Sequence, residues 1–198
     1  YKMLSNLSEI LHIEPKFQQI IETYGYPTIT TRPSGFVALS QLILEQQVSI
    51  ASAKACYEKI ENYLNGFTPK LVLEVSDEEL KACGVSRQKI SYIKNLAHCI
   101  EENKIDLESF HSKTEIEIYT ELIQLKGIGK WTVQVYLMFC LRKKDVFPIG
   151  DIAVQHTMRE LFHTKTLEEM ENHANNWKPF RSLATYLLWH HYLKKRNR

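Results

Sequence analysis

The sequence predicts an all-α fold. Three observations carry that prediction. Glycine is scarce, 7 residues in 198. No stretch alternates polar and apolar residues over the length of a strand. Apolar residues instead recur at helical spacing behind Ser or Thr caps. Taken in order, Pro15 opens a helix through "KFQQIIETYG". Pro33 and Ser34 precede "GFVALSQLILEQQ", and "SIASAKACYEKIENYL" follows. Ser76 with Glu79 has the spacing of a capping box before "ELKACG". Ser86 caps a longer helix whose Ile90, Ile93, Ala97 and Ile100 share one face. Thr114 opens "EIEIYTELIQL"; then come "KWTVQVYLMFCL" and a helix starting at Asp151, "DIAVQHTMRELF". Thr166 with Glu169 repeats the capping box, and Pro179 stands at the start of the last helix, "FRSLATYLLWHHYLKK". The total is roughly nine or ten helices with short connections.

Composition narrows the function classes. Hydrophobic residues make up 44% of the chain and charged residues 24%, enough for a packed core under a solvated surface. Net charge is only +2, so a nucleic-acid surface has to be local. There is no run of eighteen apolar residues and no apolar core of a signal peptide in "YKMLSNLSEILHIEP". The expectation is an intracellular protein with no membrane partner. Cys56, Cys83, Cys99 and Cys140 are widely spaced, without a C-x-x-C pair, which predicts reduced thiols rather than disulfides or a zinc knuckle. His190 and His191 are neighbours and so point to different sides of a helix.

One segment carries chemistry. "ELIQL-KGIG-KWTVQVYLMF" reads as a helix, a tight turn and a second helix. Gly127 can take backbone angles closed to other residues. Gly129 sits where the second helix begins, and a helix start offers unpaired N–H groups at the positive end of the dipole. Such a start binds anions, and a DNA phosphate is a natural occupant. Lys126 and Lys130 add positive charge on either side. From the residues alone the glycines could equally serve to end a helix, and Asp151 could serve only as an N-cap.

The continuation resembles a known family. "LKGIGKWT" followed by "DVFPIGD", with Asp151 twenty residues after Trp131, is similar to the helix-hairpin-helix DNA glycosylase superfamily. The nearest branch is the alkylpurine enzymes of the 3-methyladenine DNA glycosylase II type. "LILEQQVSIASAKA" resembles that branch's Q-x-V-S segment, and "LKACGVSRQKISYIKNLA" its G-x-S-x-x-K segment. "WKPFRSLATYLLW" resembles its W-x-P-x-R-S ending. The resemblance runs from Gly35 to Trp189.

The resemblance implies two helical lobes with a cleft for DNA and a flipped base between them. The whole of 1–198 would be one glycosylase domain, with a hairpin lobe over about 35–145 and a second lobe from about 1–34 plus 146–198. It looks like the short form of the family, without the β-rich N-terminal domain. The activity implied is hydrolysis of the N-glycosidic bond of alkylated purines, such as 3-methyladenine and 7-methylguanine, in damaged double-stranded DNA. Asp151 would be the catalytic carboxylate. Trp131 and Trp189 would wall the base pocket, a flat π surface suited to a cationic purine. Lys126, Gly127, Ile128, Gly129, Lys130 and Thr132 would hold DNA, with Gln46, Gln47 and Ser49 from the Q-x-V-S segment. Gln47 would fill the gap left by the flipped nucleotide. Backbone carbonyls of Ile123, Leu125 and Ile128 would be the ligands of a Na+ or K+ ion. No cofactor is required, and no cysteine follows Cys140, which excludes the family's C-terminal iron–sulfur cluster. Bifunctional members carry a lysine where this chain has Trp131, which implies hydrolysis without strand cleavage. The position four residues after Trp131, often tyrosine in the family, is Val135, so the pocket's shape departs from the pattern. The expected state is a monomer, in the cytoplasm or nucleoid if bacterial and the nucleus if eukaryotic. Three other readings stay open: an inactive DNA-binding protein with the same fold, a glycosylase of different lesion range, and an all-α protein-interaction domain.

Overall fold

Capping chemistry and helical apolar stripes produce twelve α-helices and no strand among the described residues. The computed structural model describes residues 6–197. Tyr1–Ser5 and Arg198, the extreme ends of the expected second lobe and part of the segment read for a signal peptide, lie outside the described residues. The chain divides into two units, residues 32–141 and residues 1–31 with 142–198.

The first unit is built on α3 (Phe36–Glu45), whose Phe36, Leu39, Leu42, Ile43 and Leu44 are all buried. α4 (Ile50–Leu64) follows, its first turn capped by Ser49, which accepts the Ser52 N–H at 3.1 Å. α5 (Pro69–Glu74) starts with Thr68 as cap and Pro69 at the first helical position. α6 (Asp77–Ala82) carries the Ser76–Glu79 capping box predicted from sequence. α7 (Arg87–Glu101) begins at Ser86 and buries Ile90, Ile93, Leu96 and Ala97. After a short 3-10 turn at Glu108–His111, α8 (Glu115–Leu122) opens with a Thr114–Glu117 capping box. α9 (Lys130–Phe139) closes the unit and packs, like α7, against α3. The buried Tyr136 hydroxyl accepts the Gly35 N–H at 2.9 Å, tying α9 to the start of α3. Burial pushes that phenol's pKa well above its ordinary value.

The second unit gathers α1 (Leu7–Ile13), α2 (Lys16–Tyr24), α10 (Ile152–Phe162), α11 (Leu167–Asn175) and α12 (Arg181–Lys195). Its core centres on Trp177, fully buried among Phe17, Phe147, Phe162 and His173. α11 has the expected Thr166–Glu169 capping box. α10 packs along α12. Thr157 donates to the Leu188 carbonyl at 3.2 Å, and Glu160 accepts from His191 at 2.9 Å and Lys195 at 2.6 Å. His190 turns the other way, its Nε2 meeting the Gly25 carbonyl at 3.0 Å.

Two differences from the sequence reading have local causes. α1 and α5 bring the helices to twelve rather than nine or ten. α1 has no side-chain cap at Asn6 to announce it. The last helix starts at Arg181, two residues beyond Pro179, because the Phe180 N–H is held by the Trp177 carbonyl at 2.7 Å. None of the helices among the described residues is long and apolar enough to cross a membrane.

Candidate nucleic-acid interface and active site

The residues singled out in the sequence fall into two groups, one in each unit. Gln46, Gln47, Ser49, Ile123, Leu125, Lys126, Gly127, Ile128, Gly129, Lys130, Trp131 and Thr132 belong to the first unit; Asp151 and Trp189 belong to the second.

The hairpin turn links α8 to α9 and is anchored from below by Leu125 and Ile128, both buried. The Ile128 N–H returns to the Leu125 carbonyl at 3.1 Å. Gly127 has φ +84°, a conformation that favours glycine. A Cβ there would also stand 2.1 Å from the Tyr92 ring, so glycine is required twice over. Gly129 differs. Its φ of −95° is ordinary, and a Cβ would meet nothing within 4 Å. It flanks the first residue of α9, with no side-chain cap, so N–H groups of this helix start have no intrahelical acceptor. Lys130 is exposed beside it and Trp131 is half-buried.

α7 forms the seat of the hairpin. Tyr92 packs under Gly127, Asn95 Oδ1 accepts the Lys126 N–H at 3.1 Å, and Lys126 Nζ donates to Ser91 Oγ at 2.9 Å. Sequence reasoning passed over Ser91, Tyr92 and Asn95. They lie about thirty residues from the turn they support, and only their helical proximity to the G-x-S-x-x-K segment hinted at a role. Lys89 of that segment donates its Nζ to the Leu44 carbonyl at 2.6 Å, satisfying one of the last carbonyls of α3. Burial lowers its pKa.

That lysine steadies the loop where Gln46 and Gln47 sit, and the two glutamines part company there. Gln46 turns inward: its Nε2 donates to the Gly127 carbonyl at 2.9 Å and to Thr132 Oγ1 at 3.3 Å. It thus braces the hairpin against the buried Thr132. Gln47 has φ +57° and is exposed at the tip between α3 and α4, beside the exposed apolar side chains of Val48 and Ile50. Val135 is buried and Tyr136 is engaged with Gly35, so neither offers a free ring or face on that side of α9.

In the second unit, the segment leading to Asp151 is held at three points. Arg181 grips Asp145 with two parallel bonds, Nε to Oδ1 at 2.7 Å and Nη2 to Oδ2 at 2.9 Å. Ser182 Oγ accepts the Val146 N–H at 3.0 Å and donates to the Lys143 carbonyl at 2.8 Å. These are the Arg and Ser of the W-x-P-x-R-S segment, whose Trp177 is the core residue above. The turn then closes with the Asp151 N–H on the Pro148 carbonyl at 2.9 Å. Asp151 is the N-cap of α10, and its Oδ1 accepts the Val154 N–H at 3.0 Å. The same oxygen accepts the Trp189 indole N–H at 3.0 Å. Two donors converging on one oxygen fix the rotamer of the carboxylate. Trp189 therefore touches Asp151 directly, edge-on to the Tyr186 ring at 5.7 Å.

Among known proteins, the chain resembles the alkylbase DNA glycosidase-like protein mag2 of Schizosaccharomyces pombe, 27% identical over 187 residues and covering 89% of this chain and 88% of the relative. Its fold is similar to that of a DNA-3-methyladenine glycosidase from Bacillus halodurans, with a TM-score of 0.85, 29% identity, and coverage of 96% of this chain and 89% of that one. It is also similar to the S. pombe 3-methyladenine DNA glycosylase Mag1, solved in complex with abasic DNA, with a TM-score of 0.78, 25% identity and coverage of 99% and 97%. Residues 41–180, well over half of the chain, match the family model described as HhH-GPD superfamily base excision DNA repair protein. With the hairpin, its helical seat and the buttressed carboxylate in place, this chain belongs to the HhH-GPD superfamily of base excision DNA repair proteins.

Proposed function

We propose that this protein removes alkylated purines from duplex DNA by hydrolysing the N-glycosidic bond, and that Asp151 is its catalytic carboxylate. The observation that carries this reading is the fixing of Asp151 by Val154 N–H and the Trp189 indole at one oxygen, at the end of a segment clamped by Arg181 and Ser182. Capping alone needs only the first of those bonds. A carboxylate held this firmly suits electrostatic work, because it needs no reorganisation as charge develops.

The chemistry follows from the substrate. An alkyl group on a ring nitrogen makes the purine cationic and weakens its bond to deoxyribose. The base leaves as a neutral molecule without being protonated, and positive charge builds on the sugar. Asp151 stabilises that charge and orients, or takes a proton from, the attacking water. Gly129 and Lys130, at the start of α9, hold a backbone phosphate through N–H groups and the helix dipole. Gln47, exposed at its tip, fills the place of the flipped nucleotide and can hydrogen-bond the base left behind. Trp131 and Trp189 supply aromatic surface to the cationic base. With tryptophan at position 131, no hairpin lysine attacks the sugar, and the products are a free base and an intact abasic strand.

The hairpin would offer backbone oxygens to Na+ or K+. Carbonyls of Ile123 and Ile128 would join that of Leu125, which already accepts one N–H and keeps a second lone pair. Such an ion would add one positive charge beside the phosphate. The protein acts as a monomer in this reading, wherever genomic DNA lies: the nucleoid of a bacterium or the nucleus of a eukaryote. The test is release of free base from duplexes carrying 3-methyladenine, 7-methylguanine, ethenoadenine, hypoxanthine or uracil, under single-turnover conditions. Release of the first two ahead of the rest is expected. Tight binding with no release from any of them would leave a DNA-binding protein without catalysis.

A further inference from the structure

The turn before Asp151 is closed by two backbone bonds, Ile149 N–H to the Phe147 carbonyl and Asp151 N–H to the Pro148 carbonyl, both at 2.9 Å, and neither of them engages the Ile149 carbonyl. Gly150 is exposed, and a Cβ there would meet nothing within 4 Å. The side chain of Ile149 is buried, and its carbonyl lies outside any helix and so has no helical donor. Gln155 provides it: its Nε2 donates to the Ile149 carbonyl at 2.8 Å. One turn further along α10, Arg159 Nη2 donates to Gln155 Oε1 at 3.2 Å. Asp151, Gln155 and Arg159 stand at i, i+4 and i+8, the spacing of one helix face. Meanwhile the Gln155 N–H closes the first helical bond on the Asp151 carbonyl at 3.0 Å. Gln155 thus holds the carbonyls before Gly150 and after Asp151, one through its side chain and one through its backbone.

We propose that Gln155, backed by Arg159, is a positioning residue that sets the placement of Asp151 through the Ile149 carbonyl. The inference rests on the catalytic reading of Asp151. With the side-chain amide present, the Ile149–Gly150 peptide has one orientation. Without it, the carbonyl loses its side-chain donor, and the peptide is free to reorient toward water, with no side chain on Gly150 to resist. The backbone of Asp151 then shifts, and its carboxylate moves relative to the sugar as the bonds to Val154 and Trp189 loosen. The guanidinium of Arg159 withdraws electron density from the amide and strengthens its donation.

The donor is the decisive feature, so the variants differ in donation. Gln155→Met keeps length and removes the donor; Gln155→Glu keeps shape and presents only acceptors; Gln155→Lys restores a donor of sufficient reach. Each is measured for single-turnover release of 3-methyladenine, for Kd with an abasic-site duplex, and for Tm, alongside Asp151→Asn. The Met and Glu variants are expected to release base about ten- to hundredfold more slowly, the scale of a misplaced catalytic group. Their Kd should stay within about threefold of wild type, and Gln155→Lys should recover most of the lost rate. A Gln155→Met protein releasing base at the wild-type rate, while Asp151→Asn is inactive, overturns the proposal. Full activity of Asp151→Asn instead removes the reading beneath it. Should Gln155→Met fail to fold, Arg159→Met at its exposed site decides: a rate about threefold lower at unchanged Kd supports the relay, and an unchanged rate overturns it.

Discussion

Gly127 and Gly129 stand two residues apart in one turn, yet substitution should affect them through different quantities. Gly127→Ala forces a side chain into φ +84°, which costs about 1–2 kcal/mol for a non-glycine residue. Its Cβ would also lie 2.1 Å from Cγ and Cδ2 of Tyr92. That ring yields only by swinging off its seat, where Gln88 donates to its hydroxyl, and overpacking of this kind costs about 1–3 kcal/mol. The sum, about 2–5 kcal/mol, corresponds to a fall in Tm of about 4–20 °C for a chain of this length. Gly129→Val meets ordinary backbone angles and open space. Its cost to folding is about 1 kcal/mol, the ordinary price of a poor N-cap residue. Its side chain instead occupies the approach of a phosphate to the start of α9. Loss of one hydrogen bond to a charged group, about 1.5–3 kcal/mol, weakens DNA binding about ten- to hundredfold. Thermal melts and fluorescence-anisotropy titrations over a range of salt concentrations separate the two effects. The expected pattern is a destabilised Gly127→Ala and a stable Gly129→Val with weak binding to every sequence and a shallower salt dependence. A folded Gly129→Val protein with wild-type affinity would refute the assignment of the helix start to phosphate. A Gly127→Ala protein with wild-type Tm would refute the packing argument.

Three further outcomes are expected. Borohydride should trap no covalent adduct between this protein and its substrate DNA, because Trp131 stands in place of an attacking lysine; an adduct on a normal substrate would contradict monofunctional hydrolysis. Arg181→Met leaves the Asp145 carboxylate without its two-bond partner; because both side chains are partly exposed, the penalty is about 1–3 kcal/mol rather than that of a fully buried pair, read as a lower denaturation midpoint. Burial pushes the Cys140 thiol up to about 12, so at pH 8 it should react with iodoacetamide far more slowly than half-buried Cys99 and gain reactivity as pH rises; equal labelling of the two would show that α9 does not enclose it.

The sequence announces whatever is decided locally. Ser76 with Glu79 and Thr166 with Glu169 place helix starts because both partners of each cap lie within four residues. Thr68 followed by Pro69 carries the same kind of signal for α5, but the helix is only six residues long and has no apolar stripe to mark it. The candidate residues were legible as types at spacings, above all the hairpin glycines and Asp151. Their supports were not. Nothing near Gln46 in the chain says that it faces the Gly127 carbonyl rather than the surface, or that Lys89 reaches the end of α3. Trp189 read as an aromatic wall, and its indole N–H is engaged with Asp151, thirty-eight residues away. Gln155 carried no motif, since a glutamine on a helix face is ordinary until a loop carbonyl is found opposite it. Such roles come from tertiary hydrogen bonds between distant segments, for which the chain has no local code.

Asp151→Asn isolates the charge on which the catalytic account depends. Asparagine keeps an acceptor oxygen for Val154 N–H and the Trp189 indole, so the cap, the rotamer and the fold should persist. The measurement is single-turnover release of 3-methyladenine by this variant, with Tm and affinity for an abasic-site duplex taken on the same preparation. The account predicts wild-type Tm and affinity with base release reduced about a hundredfold or more. Release at the wild-type rate from the folded variant would contradict it and leave Asp151 as the cap of α10 alone.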